Sequence, residues 1–290
     1  MTDTLLAIPN VSEGRDLTTI GTLRAAFGPG LLDVHDDPDH HRSVYTLAGA
    51  PGRLASVVLN GAKVAVERVD VVSHQGVHPR VGAIDVAPIV YLDVADRGAG
   101  CAEALVLADM LANTLELPVF LYGELAGGRT RAELRRGGLP GLAERIESGE
   151  QLPDFGPRRL HPTAGAVLVG ARPPLVAFNV ELKPPATLED ARAIAALIRE
   201  GGEEGLPSLR AIGLWLDHRG VAQVSMNLED HRTTSLAAVV EAIGRHATPA
   251  RAELVGLAPA VAFDGFPADL QVANLRLIEQ ALAPGDPRAH

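Results

Sequence analysis

Apolar and polar residues alternate along this chain in two periods. Residues 4–9 form a short apolar run ending at Pro9-Asn10, the pattern of a buried strand. Residues 15–27 place Leu17, Ile20, Leu23, Ala26 and Phe27 at helical spacing, and Gly28-Pro29-Gly30 stops the helix. Residues 31–36 and 42–49 read as two strands joined by the turn formers Asp36-Asp37-Pro38-Asp39. A second amphipathic helix is expected over 51–68, opening at Pro51, and another strand over 84–92. The predicted order is βαββαβ. It returns later, with strand 175–182, helix 187–200, strands 208–216 and 220–228 around Asp217-His218-Arg219-Gly220, helix 234–247 and strand 252–257.

That order is the split βαβ motif. The expected fold class is therefore α+β, a tandem duplication of ferredoxin-like βαββαβ units with antiparallel sheets covered by helices. The boundary is placed at Arg172-Pro173-Pro174, giving domains 1–174 and 175–290. Between the repeats, helix 97–115 and strand 118–122 belong with the first unit. Segment 127–163, rich in Gly, Arg and Pro, reads as a binding insertion with one helix near 130–147.

Composition narrows the function classes. The chain has 290 residues, 47% of them apolar, with a formal net charge of −10. Charge-driven binding to nucleic acid or to an anionic membrane is not expected. No apolar stretch approaches 18 residues, so no membrane span is expected. The single cysteine, Cys101, cannot form an internal disulfide, and the N-terminus lacks a basic region and a long apolar run. A cytoplasmic location follows as an expectation. Walker A, GxGxxG-after-strand, GxSxG and CxxC motifs are all absent from the sequence.

Three segments carry candidate chemistry. Ser73-His74-Gln75-Gly76-Val77-His78-Pro79-Arg80-Val81-Gly82 sets two imidazoles and a guanidinium beside glycines. Gly76 and Pro79 argue against a helix, so the HxxxH zinc reading is weak and proton transfer near neutral pH is the better use. His35-Asp36-Asp37-Pro38-Asp39-His40-His41-Arg42 offers a metal-ligand set or a solvated hairpin turn, with Arg42 suited to clamp a carboxylate. Asn10-Val11-Ser12-Glu13-Gly14 lies where a strand meets a helix, and offers either an anion site or capping by Ser12.

Taken together these segments resemble the formiminotransferase family, to which glutamate formimidoyltransferase belongs. The resemblance runs from Ile8 to about Pro259. It is carried by Ile8–Gly14, Leu32-Asp33-Val34 with Arg42–Thr46, His74–Ala83, Pro153–Pro157, His161–Ala166, Val176–Val180, Gln223–Leu228 and Glu253–Leu257. Two positions depart from the family pattern, Val77 before His-Pro-Arg and His41 before the strand arginine.

The resemblance implies transfer of a formimino group from N-formimino-L-glutamate to N5 of tetrahydrofolate. It also implies a homodimer, tetrahydrofolate as co-substrate, a folate site between subdomains, and no metal. The length implies that no fused cyclodeaminase domain is present. His78 takes the catalytic acid/base position. Asn10, Asp33, Arg42 and Arg80 are the substrate-binding candidates, with Asp37 as a further carboxylate for the amidinium. The folate positions fall on Gly156, Pro157, Leu160, His161, Pro162, Thr163 and Gly165, and on Arg210, Ala211, Ile212 and Gly213. Alternatives on the same scaffold are an amidine hydrolase or deiminase, a non-catalytic folate-binding protein, and a metal-dependent enzyme built on His35–Arg42.

Overall fold

A computed structural model describes residues 4–76 and 79–283. It divides into two units, the first ending at Pro173 and the second beginning at Pro174.

In the first unit the opening strand comes in two pieces, β1 (Leu5–Ala7) and β2 (Asn10–Val11). Pro9 interrupts them because it has no N–H to give the ladder, although its carbonyl still accepts from Tyr45 N at 3.0 Å. Then follow α1 (Leu17–Phe27), β3 (Leu31–Asp37), β4 (Arg42–Gly49), α2 (Leu54–Arg68), β5 (Ile84–Tyr91), α3 (Arg97–Leu115) and β6 (Val119–Leu121). The unit closes with α4 (Arg131–Arg135), α5 (Gly138–Glu147) and β7 (Val167–Arg172). α1 is capped by Asp16, which accepts from Thr18 N, and not by Ser12. The helix expected to open at Pro51 begins at Leu54, and the Glu103 carboxylate on α3 accepts from Gly52 N and Ala55 N at its start.

The seven-stranded sheet has β3 beside β4, β4 beside the β1/β2 strand, and that strand beside β5. These neighbours are antiparallel. β7 lies parallel to β5, and β6 parallel to β7. The expectation of an antiparallel sheet is therefore too narrow for this unit. The 19-residue α3 provides the crossover that parallel strands require. β7 escaped the sequence reading altogether. The helix expected across 130–147 is two helices, because Gly137 takes a positive φ of 74° between them and Gly138, the first residue of α5, one of 63°. The core joins α1, α2 and α3 to the sheet through Leu23, Phe27, Val58, Leu107 and Leu111, with Phe27 and Tyr45 ring centroids 4.7 Å apart.

The second unit runs β8 (Val176–Leu182), α6 (Leu188–Ile198), β9 (Leu209–Leu216), β10 (Val221–Leu228), α7 (Leu236–Gly244) and β11 (Pro249–Val255). β12 (Val272–Ala273) and α8 (Ile278–Ala281) follow. The sheet order is β12-β11-β8-β10-β9, antiparallel except for β12 against β11. Thr187 and Asp190 form a reciprocal cap at α6, and Ser235 caps α7. α6 lies so close on β9 that a Cβ on Gly213 would stand 2.2 Å from the backbone nitrogen of Arg192. Ile194, Ile198, Val239 and Ile243 bury against Phe178, Val224 and Leu254. Among the described residues, no helix is long and apolar enough to cross a membrane.

Candidate functional site

β2 runs between β4 and β5, so Asn10, Arg42 and Asp85 arrive at one end of the first unit's sheet. Asp85 is wholly buried and Arg42 nearly so, with side-chain exposures of 0% and 12%. The Asp85 carboxylate accepts from Val81 N at 2.8 Å, from Arg42 Nη1 at 2.8 Å and from Arg135 Nη2. Arg42 also donates Nε and Nη2 to Asn10 Oδ1 at 2.9 and 2.7 Å, and Asn10 Nδ2 donates to the Ile8 carbonyl at 2.8 Å. Burial alone would push the Asp85 carboxyl up. The Arg135 and Arg42 guanidinium groups, with the Val81 N–H, outweigh it and hold the carboxyl below its ordinary value. Burial pulls Arg42 down to about 10, opposed by Asp85 and assisted by Arg135 and Arg131, so it stays cationic at neutral pH.

Arg135 ends α4, a helix that Thr130 and Glu133 cap reciprocally. Arg145 on α5 fixes the other end by donating to the Arg136 and Leu134 carbonyls at 2.6 and 2.8 Å. Arg131, one turn before Arg135, stands 5.7 Å above the Tyr122 ring.

Histidines border this cluster. His41 Nδ1 accepts from Gly14 N at 3.2 Å and lies 3.5 Å from Glu13. Its ring stacks on His74 at 4.0 Å between centroids, and His74 Nε2 lies 3.1 Å from the His41 carbonyl. Arg80 donates to the Gly76 and His74 carbonyls, which ties its guanidinium to the 74–76 segment. Burial, then the Arg80 and His41 charges, push His74 down to about 4, and burial also lowers His41. Gly14 lets the segment between β2 and α1 touch the β3–β4 hairpin, since a Cβ there would sit 2.3 Å from the Asp37 carbonyl oxygen. Ser12 donates to the Gly82 carbonyl at 2.7 Å, a tie between segments instead of the expected cap.

The remaining sequence-derived candidates fall as follows. Val77 and His78 lie outside the described residues. Asp33 sits in β3 opposite Thr46. Asp37 is engaged by His40, whose backbone N donates to it at 2.9 Å and whose Nδ1 lies 2.5 Å away. Gly156 and Gly165 have φ of 82° and 70°, and Gly165 also has no room for a Cβ, with Val81 O at 2.3 Å. His161 and Gly165 exchange backbone hydrogen bonds at 2.9 and 3.1 Å, with Pro162 and Thr163 exposed at the turn. Ala83 N donates to Ala164 O at 2.9 Å, so 161–165 borders the segment leading to Asp85. Pro157 and Leu160 are half-buried on the approach to it. Arg210, Ala211, Ile212 and Gly213 belong to β9 of the second unit. There Arg210 pairs with Glu200 at 2.9 Å and Glu229 at 3.2 Å, Ala211 is buried and Ile212 is exposed.

Sequence reasoning missed Asp85 and Arg135. Asp85 did leave a signal, a lone carboxylate in the apolar run Ile84–Tyr91. A buried carboxylate needs a cation or several donors. Arg135 left none, being one arginine among several between 129 and 145.

The fold and this cluster define a two-unit α/β protein whose first unit buries a carboxylate among arginines, with His41 and His74 stacked at its border. Family models match both units: the formiminotransferase domain, N-terminal subdomain, over 4–172, and the formiminotransferase domain over 177–264. The chain belongs to the formiminotransferase family. It is 38% identical to glutamate formimidoyltransferase of Streptococcus pyogenes serotype M1, covering 88% of this chain and 89% of that one. It is 34% identical to glutamate formimidoyltransferase of Thermoplasma acidophilum, covering 87% of each. Against formimidoyltransferase-cyclodeaminase of Sus scrofa it is 38% identical over 89% of this chain, and spans 51% of that protein's length.

Proposed function

We propose that this protein is a glutamate formimidoyltransferase, carrying the formimino group of N-formimino-L-glutamate to N5 of tetrahydrofolate, its co-substrate. The observation that carries this reading is the match of both units to formiminotransferase models, with relatives of that name covered nearly end to end. In the reaction, folate N5 attacks the amidine carbon and a tetrahedral centre with three nitrogens forms. N5 gives up a proton, the glutamate nitrogen takes one, and the bond from carbon to that nitrogen breaks. One imidazole serves both transfers in turn, and His78 is assigned to it. Holding the two reactants together contributes much of the remaining rate. Asn10, Arg42 and Arg80 are assigned to the donor, with Asp33 facing the amidinium. Gly156–Gly165 and Arg210–Gly213 are assigned to the folate.

The same reading takes 1–174 and 175–290 as the two subdomains and each as a ferredoxin-like unit. The order β11-β8-β10-β9 in the second supports this, being fourth-first-third-second of its βαββαβ strands. It further takes the protein as a cytoplasmic homodimer. The test is an assay with formiminoglutamate, with and without tetrahydrofolate. Glutamate release that requires the folate supports transfer. Equal release in its absence replaces transfer by hydrolysis, and folate binding with no turnover of donor removes the enzyme reading.

A further inference from the structure

We propose that Arg135 binds a carboxylate of one of the two reactants, and that Asp85 is the positioning residue that holds Arg135 toward it. This deepens the transferase reading and rests on it for the identity of the ligand. One carboxylate, fully buried, is contacted by two guanidinium groups and lies in the field of a third, Arg80. Arg131 adds a further positive charge beside Arg42. Two guanidinium groups therefore converge on one carboxylate where water is scarce, and the donors that Arg135 does not spend on Asp85 are those an incoming carboxylate would meet.

The two contacting arginines are not equivalent. Arg42 directs Nε and Nη2 at Asn10 and Nη1 at Asp85. Arg135 directs only Nη2 at Asp85, and its Nε is buried with no partner among the described residues. A guanidinium has five donors in a planar fork, and two adjacent ones match the oxygens of a carboxylate. The capped and Arg145-anchored α4 holds this fork in place without a ligand. Both reactants carry carboxylates, the donor on its glutamate and the folate on its tail, and the chemistry at Arg135 is the same for either.

Kinetics of Arg135→Gln, with each reactant varied in turn, test the assignment. The expected result is a KM raised roughly 10- to 100-fold for one reactant, the worth of a hydrogen bond between charged groups, with a much smaller fall in kcat. A rise for formiminoglutamate places the donor's carboxylate at Arg135, and a rise for tetrahydrofolate places the tail there. A folded Arg135→Gln protein with wild-type KM for both overturns the proposal. Where that variant folds poorly, Asp85→Asn is compared with Asp85→Asn combined with Arg135→Gln. A higher KM in the double variant supports ligand binding, and equal values leave Arg135 as a counter-ion only and overturn it. Calorimetric titration with L-glutamate and with p-aminobenzoyl-L-glutamate reads binding without turnover. A wild-type protein that transfers nothing yet binds one probe, and loses it with Arg135→Gln, separates failure of the transferase reading from failure at Arg135.

Discussion

The two units each hold a three-membered ion cluster with similar distances and opposite surroundings. Arg42 and Arg135 close on Asp85 in the first, where the side chains are at most 13% exposed. Arg210 lies 2.9 Å from Glu200 and 3.2 Å from Glu229 in the second, where every member is between 38% and 49% exposed. Separation alone would rank them together. Burial separates them, because water screens the exposed charges and has been stripped from the buried ones. An exposed cluster contributes little to stability, and either partner returns to water when the other is removed. A buried one cannot lose a member without leaving an uncompensated charge. The lesson is that an ion cluster earns functional attention from what surrounds it.

The comparison breaks most visibly at Asp85. Asp85→Asn should lower the unfolding free energy by roughly 3–5 kcal/mol, the usual cost of removing one partner from a buried ion pair. Urea denaturation measures it, and a cost below about 1 kcal/mol would place this cluster with the surface pairs.

A second contrast, within the histidine-rich loop, sets rate against stability. His78→Ala should lower turnover by roughly 10²–10⁴, the worth of one general acid–base group. His74→Ala should cost stability more than rate, since His74 stacks on His41 and meets its carbonyl. Steady-state rates of both variants, corrected for folded fraction, decide this. A folded His78→Ala protein at near wild-type turnover removes the assignment.

The pH dependence sharpens the same contrast more gently. His74 is pushed down to about 4 from an ordinary 6.5. Between those values the unfolded chain takes up a proton that the folded one refuses, so stability should fall as pH drops from about 6.5 toward 4. The slope is smaller than for a fully buried imidazole, because the ring keeps partial access to water. In His74→Gln this part of the slope should disappear from melting curves collected across that window. An unaltered slope would show that His74 titrates as it does in the unfolded chain. The smallest effect belongs to the second unit. Arg210→Ala should change stability by less than about 1 kcal/mol and weaken further in sensitivity at high salt. A loss of several kcal/mol in denaturant titration would erase the contrast between the clusters.

Most of the element order was legible because strand and helix periods are local. The spacing Leu17, Ile20, Leu23 and Phe27 identifies α1 without reference to any other segment, and Gly220 marks the β9–β10 turn. The sequence offered Asn10, Arg42 and Arg80 as substrate-binding candidates, and the structure brings Asn10 and Arg42 together beside Asp85. The break between α4 and α5 was harder, although Gly137-Gly138 stood in the sequence, because glycine permits positive φ without requiring it.

Local periods and ordered motifs thus carry most of the succession of strands and helices, the two-part plan and the family, since each depends on neighbours within a few residues or on the order of motifs. The tertiary structure alone decided that β7 inserts between β5 and β6, parallel to both. It also decided that Asp85 would meet Arg42, 43 positions before it, and Arg135, 50 positions after it. No local period encodes such a meeting. It arises where sheet order and the α3 crossover return distant segments to one end of the first unit, and where a carboxylate cut off from water must have cations around it.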